Sequence, residues 1–375
     1  MKCPRCGNED PSYFYYGDKG RYCRKCVRFS SGTVLENNSR EVDAEYKLKF
    51  QLTDKQAAIS ERLRQLVAEG KEVLLEAVCG AGKTEIIFAM ISDQLKKGHK
   101  VCFSIARRQV VLEIAERLTA AFGSIKVVAV CQGHTSDING DLIVCTTHQL
   151  FRYTGYFDVL IIDEPDAFPY KGDETLAGIA RNSCTGTMVY LTATPDAQLT
   201  SMVLEGKLEH LFLSKRPHGH ELCVPEVRYG SDPVMLLHLI NWIRMELRKE
   251  KQLLVFVPRR KTGQLFTRVI NRFIPCCNID STTEDKDEII QQFRDGKYQI
   301  CVTTSVLERG VTFYDVQVVV WKADNGVFDE AALTQIAGRV GRSPKAPYGD
   351  CLFLCNRKQR SVDGCIDRIR KANDD

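Results

Sequence analysis

The chain has no apolar run near the ~18–20 residues a membrane-spanning helix needs; stretches such as VLIID and VQVVVW are only strand-sized. It also lacks an apolar core behind its opening residues, MKCPRCGNED, so no secretory leader is expected there. Net charge is small. Against 48 acidic residues stand 52 basic ones, a balance of +4, so any basic surface must be local, and a modest excess does gather at the two ends. Low-complexity tracts and short-period repeats are absent as well, which sets aside disordered, fibrous and solenoid architectures. With 44% hydrophobic and 27% charged residues over 375 positions, the composition is that of a globular chain long enough for two to three domains.

Cysteine is abundant, at 16 residues. In a reducing cytosol these serve as thiols or metal ligands, and spacing separates the two uses. Cys3-Pro4-Arg5-Cys6 and Cys23-Arg24-Lys25-Cys26 make a CxxC-x16-CxxC ribbon pattern that fits a tetrahedral zinc site of four thiolates. So short a segment has little core, and Zn2+ would supply much of its folding energy. The other cysteines fall mostly in expected strands and read as small buried hydrophobes. Adjacent Cys276 and Cys277 have no matching pair and define no second metal site.

Residues 1–46 read as this four-cysteine zinc ribbon, with an aromatic run (Tyr13, Phe14, Tyr15, Tyr16) and a polar exit through Asn37, Asn38 and Ser39. Beyond it, short β-branched runs alternate with amphipathic stretches such as 84–97 and 108–121. Strands are expected at 73–78, 100–105, 125–131, 141–146, 157–163 and 188–193, then, after a Pro- and Gly-broken linker at 214–233, at 252–257, 299–304, 316–321 and 350–355. Such alternation implies parallel sheets covered by helices: an α/β fold of two units, 47–213 and 234–375.

After the strand VLLEAV comes Cys79-Gly80-Ala81-Gly82-Lys83-Thr84-Glu85 and a helical stretch. Small residues let backbone N–H groups at Gly80, Ala81, Gly82 and onward to Glu85 curl around phosphate, Lys83 reaches the β and γ oxygens, and the Thr84 hydroxyl takes Mg2+. Ala77 occupies the first glycine position of the full G-x4-GK[ST] pattern. Farther on, FDVLII ends in Asp163-Glu164-Pro165-Asp166, where Asp163 can hold Mg2+ and Glu164 can polarise water.

DEPD resembles the DEAD-box motif of superfamily 2 helicases, Thr192-Ala193-Thr194 resembles their motif III, and Gln335-Ile336-Ala337-Gly338-Arg339-Val340-Gly341-Arg342 resembles motif VI. That resemblance implies two RecA-like lobes with ATP in the cleft between them. It also implies Gln56 as the adenine-reading glutamine, Gln335 near the attacking water, and Arg339 and Arg342 at the γ-phosphate, where guanidiniums stabilise spreading negative charge.

The DEPDAFPY segment, the stretch from Thr303 to Phe313 (TTSVLERGVTF) and QIAGRVGR, behind an N-terminal zinc unit of four cysteines, together resemble the ComFA competence proteins of transformable Gram-positive bacteria. Pro165 departs from the small apolar residue usual at that place; lacking an N–H and fixing φ, it stiffens the loop while leaving Asp163 and Glu164 in place. The resemblance implies a cytoplasmic ATPase at the inner face of the membrane that binds single-stranded DNA, drives it through the import channel, and works with ComFC-like and DprA-like partners. Positions matching the superfamily's DNA contacts are Arg107, Arg108, Thr147, Thr304 and Arg309, which would hold backbone phosphates and make binding salt-sensitive. In the zinc ribbon, Arg5, Lys19, Arg21, Arg24, Lys25 and Arg28 lie beside the four aromatics, which read as either a stacking surface or the ribbon's small core, with core preferred. Two other readings stand beside this one. A PriA-like duplex-unwinding helicase also combines helicase lobes with zinc-binding cysteines, but the chain has no room for a large accessory domain. A zinc-ribbon binding module with scaffold lobes is opposed by the intact set Lys83, Asp163, Glu164, Arg339 and Arg342. The sequence leaves DNA against RNA, and the oligomeric state, open.

Overall fold

The computed structural model describes residues 2–18, 20–29, 34, 40–309, 311 and 313–374. Lys19, Asn37, Asn38, Ser39, Gly310 and Thr312, named above, lie outside the described residues. Two compact units emerge: Met1–Ala77 with Gly82–Leu213, and Val78–Ala81 with Ser214–Asp375.

In the first unit a hairpin, β1 (Phe14–Gly17) and β2 (Gly20–Cys23), precedes α1 (Asp54–Ala68), β3 (Val73–Ala77), α2 (Lys83–Ile86), α3 (Phe88–Lys96), β4 (Val101–Ile105), α4 (Arg108–Phe122), β5 (Val127–Val130) and β6 (Leu142–Thr146). A 3-10 segment Thr147–Arg152 leads to β7 (Phe157–Asp163), α5 (Glu174–Ser183), β8 (Cys184–Thr192), α6 (Ala197–Leu204) and β9 (Glu209–Leu213). Seven of these strands form an all-parallel sheet in the order β5-β6-β4-β7-β8-β3-β9. Both faces are covered, so its central strands do not alternate: every residue of β4 and of β6 is buried.

The second unit holds β10 (Glu226–Tyr229), α7 (Asp232–Arg248), β11 (Gln252–Phe256), α8 (Arg260–Ile270), β12 (Cys276–Ile279), α9 (Lys286–Arg294), β13 (Ile300–Thr303), β14 (Val316–Trp321), α10 (Glu330–Ala337), β15 (Cys351–Cys355) and α11 (Arg360–Asp374). Its sheet, order β10-β15-β14-β11-β13-β12, is also all parallel. Two RecA-like parallel-sheet units are therefore present.

Besides the ribbon hairpin β1–β2, three strands escaped the sequence reading. β9 is an edge strand, and its EHLFL residues are mostly exposed and open on two polar ones, so it lacks the unbroken apolar run of the central strands. β10 lies inside 214–233, where Pro and Gly pointed to a linker, yet it pairs with β15 at the sheet edge. β12 is four residues long and opens on the adjacent cysteines. The helix expected over 84–97 is two helices divided at Ile87.

The ribbon packs on α5. Lys25 pairs with Glu174 and Arg28 with Asp173, each at 3.1 Å, and Asp173 also caps α5 by accepting from the Thr175 and Leu176 amides. Gly178 is there because the Cys6 carbonyl lies where its side chain would be: a Cβ would stand 2.1 Å from that oxygen. The preference for the aromatics as ribbon core is corrected: Tyr13 and Tyr15 are each 41% exposed and Tyr16 82%. Of the four, only Phe14 packs on the first unit's core. The physical reason is that the CxxC turns fold four thiols inward, and these occupy the centre that rings would otherwise fill.

Candidate nucleotide site and nucleic-acid interface

Between β3 and α2 the chain turns through two glycines in the left-handed region, Gly80 at φ 81° and Gly82 at φ 78°. Residues with a Cβ rarely adopt that region, which is why glycines flank Ala81. The Ala81 amide donates to the Val78 carbonyl (3.0 Å), closing the turn, and Gly82 caps α2, whose first residues are the half-buried Lys83 and Thr84. The Glu85 carboxylate pairs with Arg117 of α4, so it braces the helix start. Gln56, 3% exposed, forms a reciprocal capping box with Thr53: its Oε1 accepts the Thr53 amide at 2.9 Å and its own amide donates to the Thr53 hydroxyl at 3.4 Å.

At the tip of β7, Asp163 is held opposite Ile105 of β4 and Leu191 of β8. Glu164 follows at φ 53°, a strained conformation for a residue with a side chain, fixed by its amide's bond to the Leu191 carbonyl at 2.8 Å. Asp166 is 3% exposed and accepts from two hydroxyls, Thr192 (2.5 Å) and Thr194 (2.7 Å). Thr192 Oγ1 accepts the Thr194 amide as well (2.9 Å). The end of β8 is thereby locked to the acidic loop, giving the resemblance of Thr192-Ala193-Thr194 to motif III a definite physical content.

In the second unit Gln335 is 3% exposed, and its Nε2 is buried without a hydrogen-bond partner among the described residues. An unsatisfied buried donor costs about 1–3 kcal/mol, which fits a group whose acceptor arrives with substrate. The two arginines differ. Arg339 is 1% exposed and donates to the Val311 carbonyl, whereas Arg342 is half-buried and donates through Nε to the Gly338 carbonyl at 2.8 Å. In this conformation Arg342 is the more accessible of the pair. Arg216, not anticipated from sequence, is 3% exposed and donates to the carbonyls of Gly338 (3.0 Å), Val340 (2.7 Å) and Gly341 (2.6 Å). Burial, with Arg342 nearby, lowers its pKa to about 10. It pins the turn that carries Arg339 and Arg342. A lone arginine among Pro217, Gly219 and Pro225 carries no motif signal, so only the fold reveals it.

The expected DNA contacts divide. Arg107 caps α4 half-buried, and exposed Arg108 donates to the Gln132 carbonyl at 2.8 Å. Thr147, however, is 1% exposed and accepts from Ser104, and Arg309 is 3% exposed beside Glu308, so neither side chain is presented at the surface. Thr147 opens the 3-10 segment that follows β6, and Arg309 comes after the 3-10 segment Ser305–Leu307 that follows β13; in this conformation both side chains turn inward. Thr304 instead lines a cavity of about 400 Å3 with Pro258, Arg259, Arg260, Lys261 and Ser281. These cations were missed, although a signal existed. Val257-Pro258-Arg259-Arg260 after β11 matches Ile105-Ala106-Arg107-Arg108 after β4, each placing two arginines where a central strand gives way to a helix.

Cys3, Cys6, Cys23 and Cys26 are buried with all four Sγ atoms within 4.8 Å of one another. Cys3 and Cys26 sulfurs are 3.7 Å apart and Cys6 and Cys23 3.9 Å. Bonds of about 2.3 Å to a central tetrahedral Zn2+ give edges of about 3.8 Å, so the thiols fit that ion. Burial pushes the Cys6 thiol up to about 11 and Cys26 higher still, while at Cys3 burial is outweighed by the Cys6 and Arg5 amides, which lower it. So close a set does not ionise together without a cation to neutralise it. Among the described residues no second such cluster occurs, and ten of the other twelve cysteines are buried, Cys184 and Cys223 being half-buried.

A P-loop lysine after β3, paired acids ending β7 and a QxxGRxxR turn after α10, on two parallel-sheet units, define a superfamily 2 helicase-type enzyme, a DNA-dependent ATPase using ATP and Mg2+. Matching domain families agree: type III restriction enzyme, res subunit, over residues 49–197, and helicase conserved C-terminal domain over residues 234–344. The chain is 35% identical to Competence protein ComFA of Bacillus subtilis, covering 100% of this chain and 86% of that one, and 35% identical to the Streptococcus pneumoniae protein of the same name, covering 99% and 90%. It belongs to the ComFA family. In fold it is similar to Saccharomyces cerevisiae Dbp5 L327V bound to RNA and ADP BeF3, with a TM-score of 0.65 at 16% identity over 86% of this chain and 92% of that one. RecG bound to a three-way DNA junction gives 0.60 at 19% identity, covering 89% and 48%.

Proposed function

We propose that this protein is an ATP-driven single-stranded DNA translocase of DNA uptake in natural transformation. The observation that carries the reading is the pair of arginine-bearing strand ends, Arg107 with Arg108 and Arg259 with Arg260, one on each unit and each beside the switch from strand to helix. Four cations at equivalent places, with Lys261 and Thr304, suit sugar-phosphate backbone and read no base edges, as a motor that moves along any sequence requires. Lys83 holds the β and γ phosphates, Thr84 and Asp163 provide oxygens for Mg2+, and Glu164 orients the attacking water. Bound Mg2+ would offset phosphate charge. Asp166 links the acidic loop to Thr192 and Thr194, so a shift at one is felt at the other. Gln335, Arg339 and Arg342 lie on the other unit, so neither unit carries the whole set. The four cysteines hold one Zn2+ structurally. Family membership supports reading its action as taking place at the inner face of the membrane with ComFC-like and DprA-like partners. Among the described residues no helix is long and apolar enough to cross a membrane.

The test is ATP turnover with single-stranded DNA, duplex DNA and RNA compared at one salt concentration. Single-stranded DNA should stimulate most, and added salt should suppress it. Lys83→Ala should abolish turnover, while Glu164→Gln binds ATP and loses about a hundredfold or more. Stronger stimulation by duplex or RNA would sink the proposal.

A further inference from the structure

The hairpin of the zinc ribbon has two unlike faces. Its register sets Phe14 opposite Cys23, Tyr15 opposite Tyr22 and Tyr16 opposite Arg21. Side chains alternate along a strand, so Phe14 and Cys23 share the inner face, where Phe14 packs on the core and Cys23 belongs to the thiol cluster. Tyr15 and Tyr22 share the other. The Arg24 amide donates to the Tyr13 carbonyl at 2.8 Å and extends this ladder by one step, so Tyr13 and Arg24 flank the tyrosine pair.

This outer face is made of rings and cations. Tyr13, Tyr15 and Tyr22 are 41%, 41% and 39% exposed, and the Tyr15 and Tyr22 ring centres stand 6.3 Å apart. The Arg24 guanidinium lies 4.3 Å over the Tyr15 ring, and the Lys25 ammonium 5.9 Å from Tyr13. On the other face Arg21 lies 4.1 Å over Phe14. Neither Arg21 nor Arg24 has a carboxylate partner among the described residues. The face thus offers flat π surfaces edged with positive charge.

Its position adds a second, independent observation. Phe29, at the end of the ribbon, packs against His148 and Phe151 at ring separations of 6.2 and 5.7 Å. Those residues lie in the 3-10 segment that begins at Thr147, straight after the buried strand β6. The ribbon is thus fastened next to a strand end of the same sheet whose β4 end carries Arg107 and Arg108.

We propose that the Tyr13–Tyr15–Tyr22–Arg24 face is a stacking platform for the unpaired bases of single-stranded DNA. It rests on the reading of this chain as a single-stranded DNA motor. Each base has a π face to lay on a tyrosine, and the adjoining phosphates meet Arg24 and Lys25. The platform holds bases, whereas the strand-end arginines hold phosphate, and this difference gives the two sites separate signatures. A protein partner could anchor on the same tyrosines and arginine; what favours bases is the cation beside the rings together with the ribbon's place on the sheet whose β4 end carries Arg107 and Arg108.

Fluorescence anisotropy on the full-length, zinc-loaded protein tests the idea with labelled oligo(dT) and an abasic oligomer of equal length. Tyr15→Ala/Tyr22→Ala should weaken oligo(dT) binding about 30-fold, as two stacked bases at ~1 kcal/mol each predict. Tyr15→Phe/Tyr22→Phe, which keeps both rings, should stay within about twofold. The abasic oligomer should bind all three proteins alike, and the salt slope should not change, because no ion pair is removed. If the double alanine variant loses zinc, the single Tyr22→Ser variant replaces it, with a loss of about fivefold expected. Unchanged oligo(dT) affinity in zinc-loaded alanine variants overturns the platform, and so does an equal loss on the abasic oligomer. Normal oligo(dT) binding with loss of a protein partner would make the face a protein interface and overturn it too. Wild-type protein that binds no single-stranded DNA fails before any variant is made, and that result counts against the motor reading itself.

Discussion

Gly178→Ala separates what a helix prefers from what the fold demands. In an isolated helix, alanine is favoured over glycine by about 1 kcal/mol, so local propensity predicts a gain for α5. The tertiary structure predicts the reverse at the ribbon contact. The new Cβ would lie 2.1 Å from the Cys6 carbonyl oxygen, and even the 3.0 Å that real Cβ atoms almost never breach requires the ribbon to retreat by about 1 Å. The contacted atom is backbone beside a metal ligand, so no rotamer relieves the clash. Retreat weakens what docks the ribbon: burial of Phe29 against Phe151, about 2 kcal/mol, with a small addition from the ion pairs to Asp173 and Glu174. A loss of about 2 kcal/mol raises the undocked population about 30-fold. Limited proteolysis between the ribbon and α1 should accelerate accordingly, while metal analysis still finds one zinc per chain, since all four thiols come from the ribbon itself. Cys23→Ser/Cys26→Ser, by contrast, should lose the metal. A Gly178→Ala protein cleaved at the wild-type rate would refute the argument that this glycine exists for the Cys6 carbonyl.

Two further substitutions probe the nucleotide machinery. Thr192→Val keeps the shape but removes the donor to Asp166 and the acceptor of the Thr194 amide together, so the first unit should lose about 3 kcal/mol in denaturant unfolding, with Thr192→Ser recovering most of it. Arg339→Ala and Arg342→Ala should part company. The buried Arg339 variant should lower the melting temperature, whereas the Arg342 variant should melt like wild type, still bind DNA and lose about a thousandfold of its DNA-stimulated turnover. Equal melting of the two would show that burial does not distinguish their roles.

Much of this molecule is legible in its sequence because its chemistry is local. CxxC pairs, a glycine-flanked GKT after an apolar strand, and acids ending a β-branched run each need neighbours only a few positions away. The parallel sheets followed for the same reason, since strands buried on both faces read as unbroken apolar runs such as VCFSI and LIVCT. Side-chain direction was beyond it. Arg309, expected at DNA phosphate, and Arg339, expected at the γ-phosphate, are buried in this conformation, and Thr147 turns toward Ser104, because side-chain direction depends on what packs over each turn. The tyrosines of the ribbon went the opposite way, outward, because four thiols occupy its centre. Arg216 is defined wholly by carbonyls more than a hundred residues away, which no spacing rule can reach. Gly178 is a helix weakness until the Cys6 carbonyl, far off in the chain, is seen to require it.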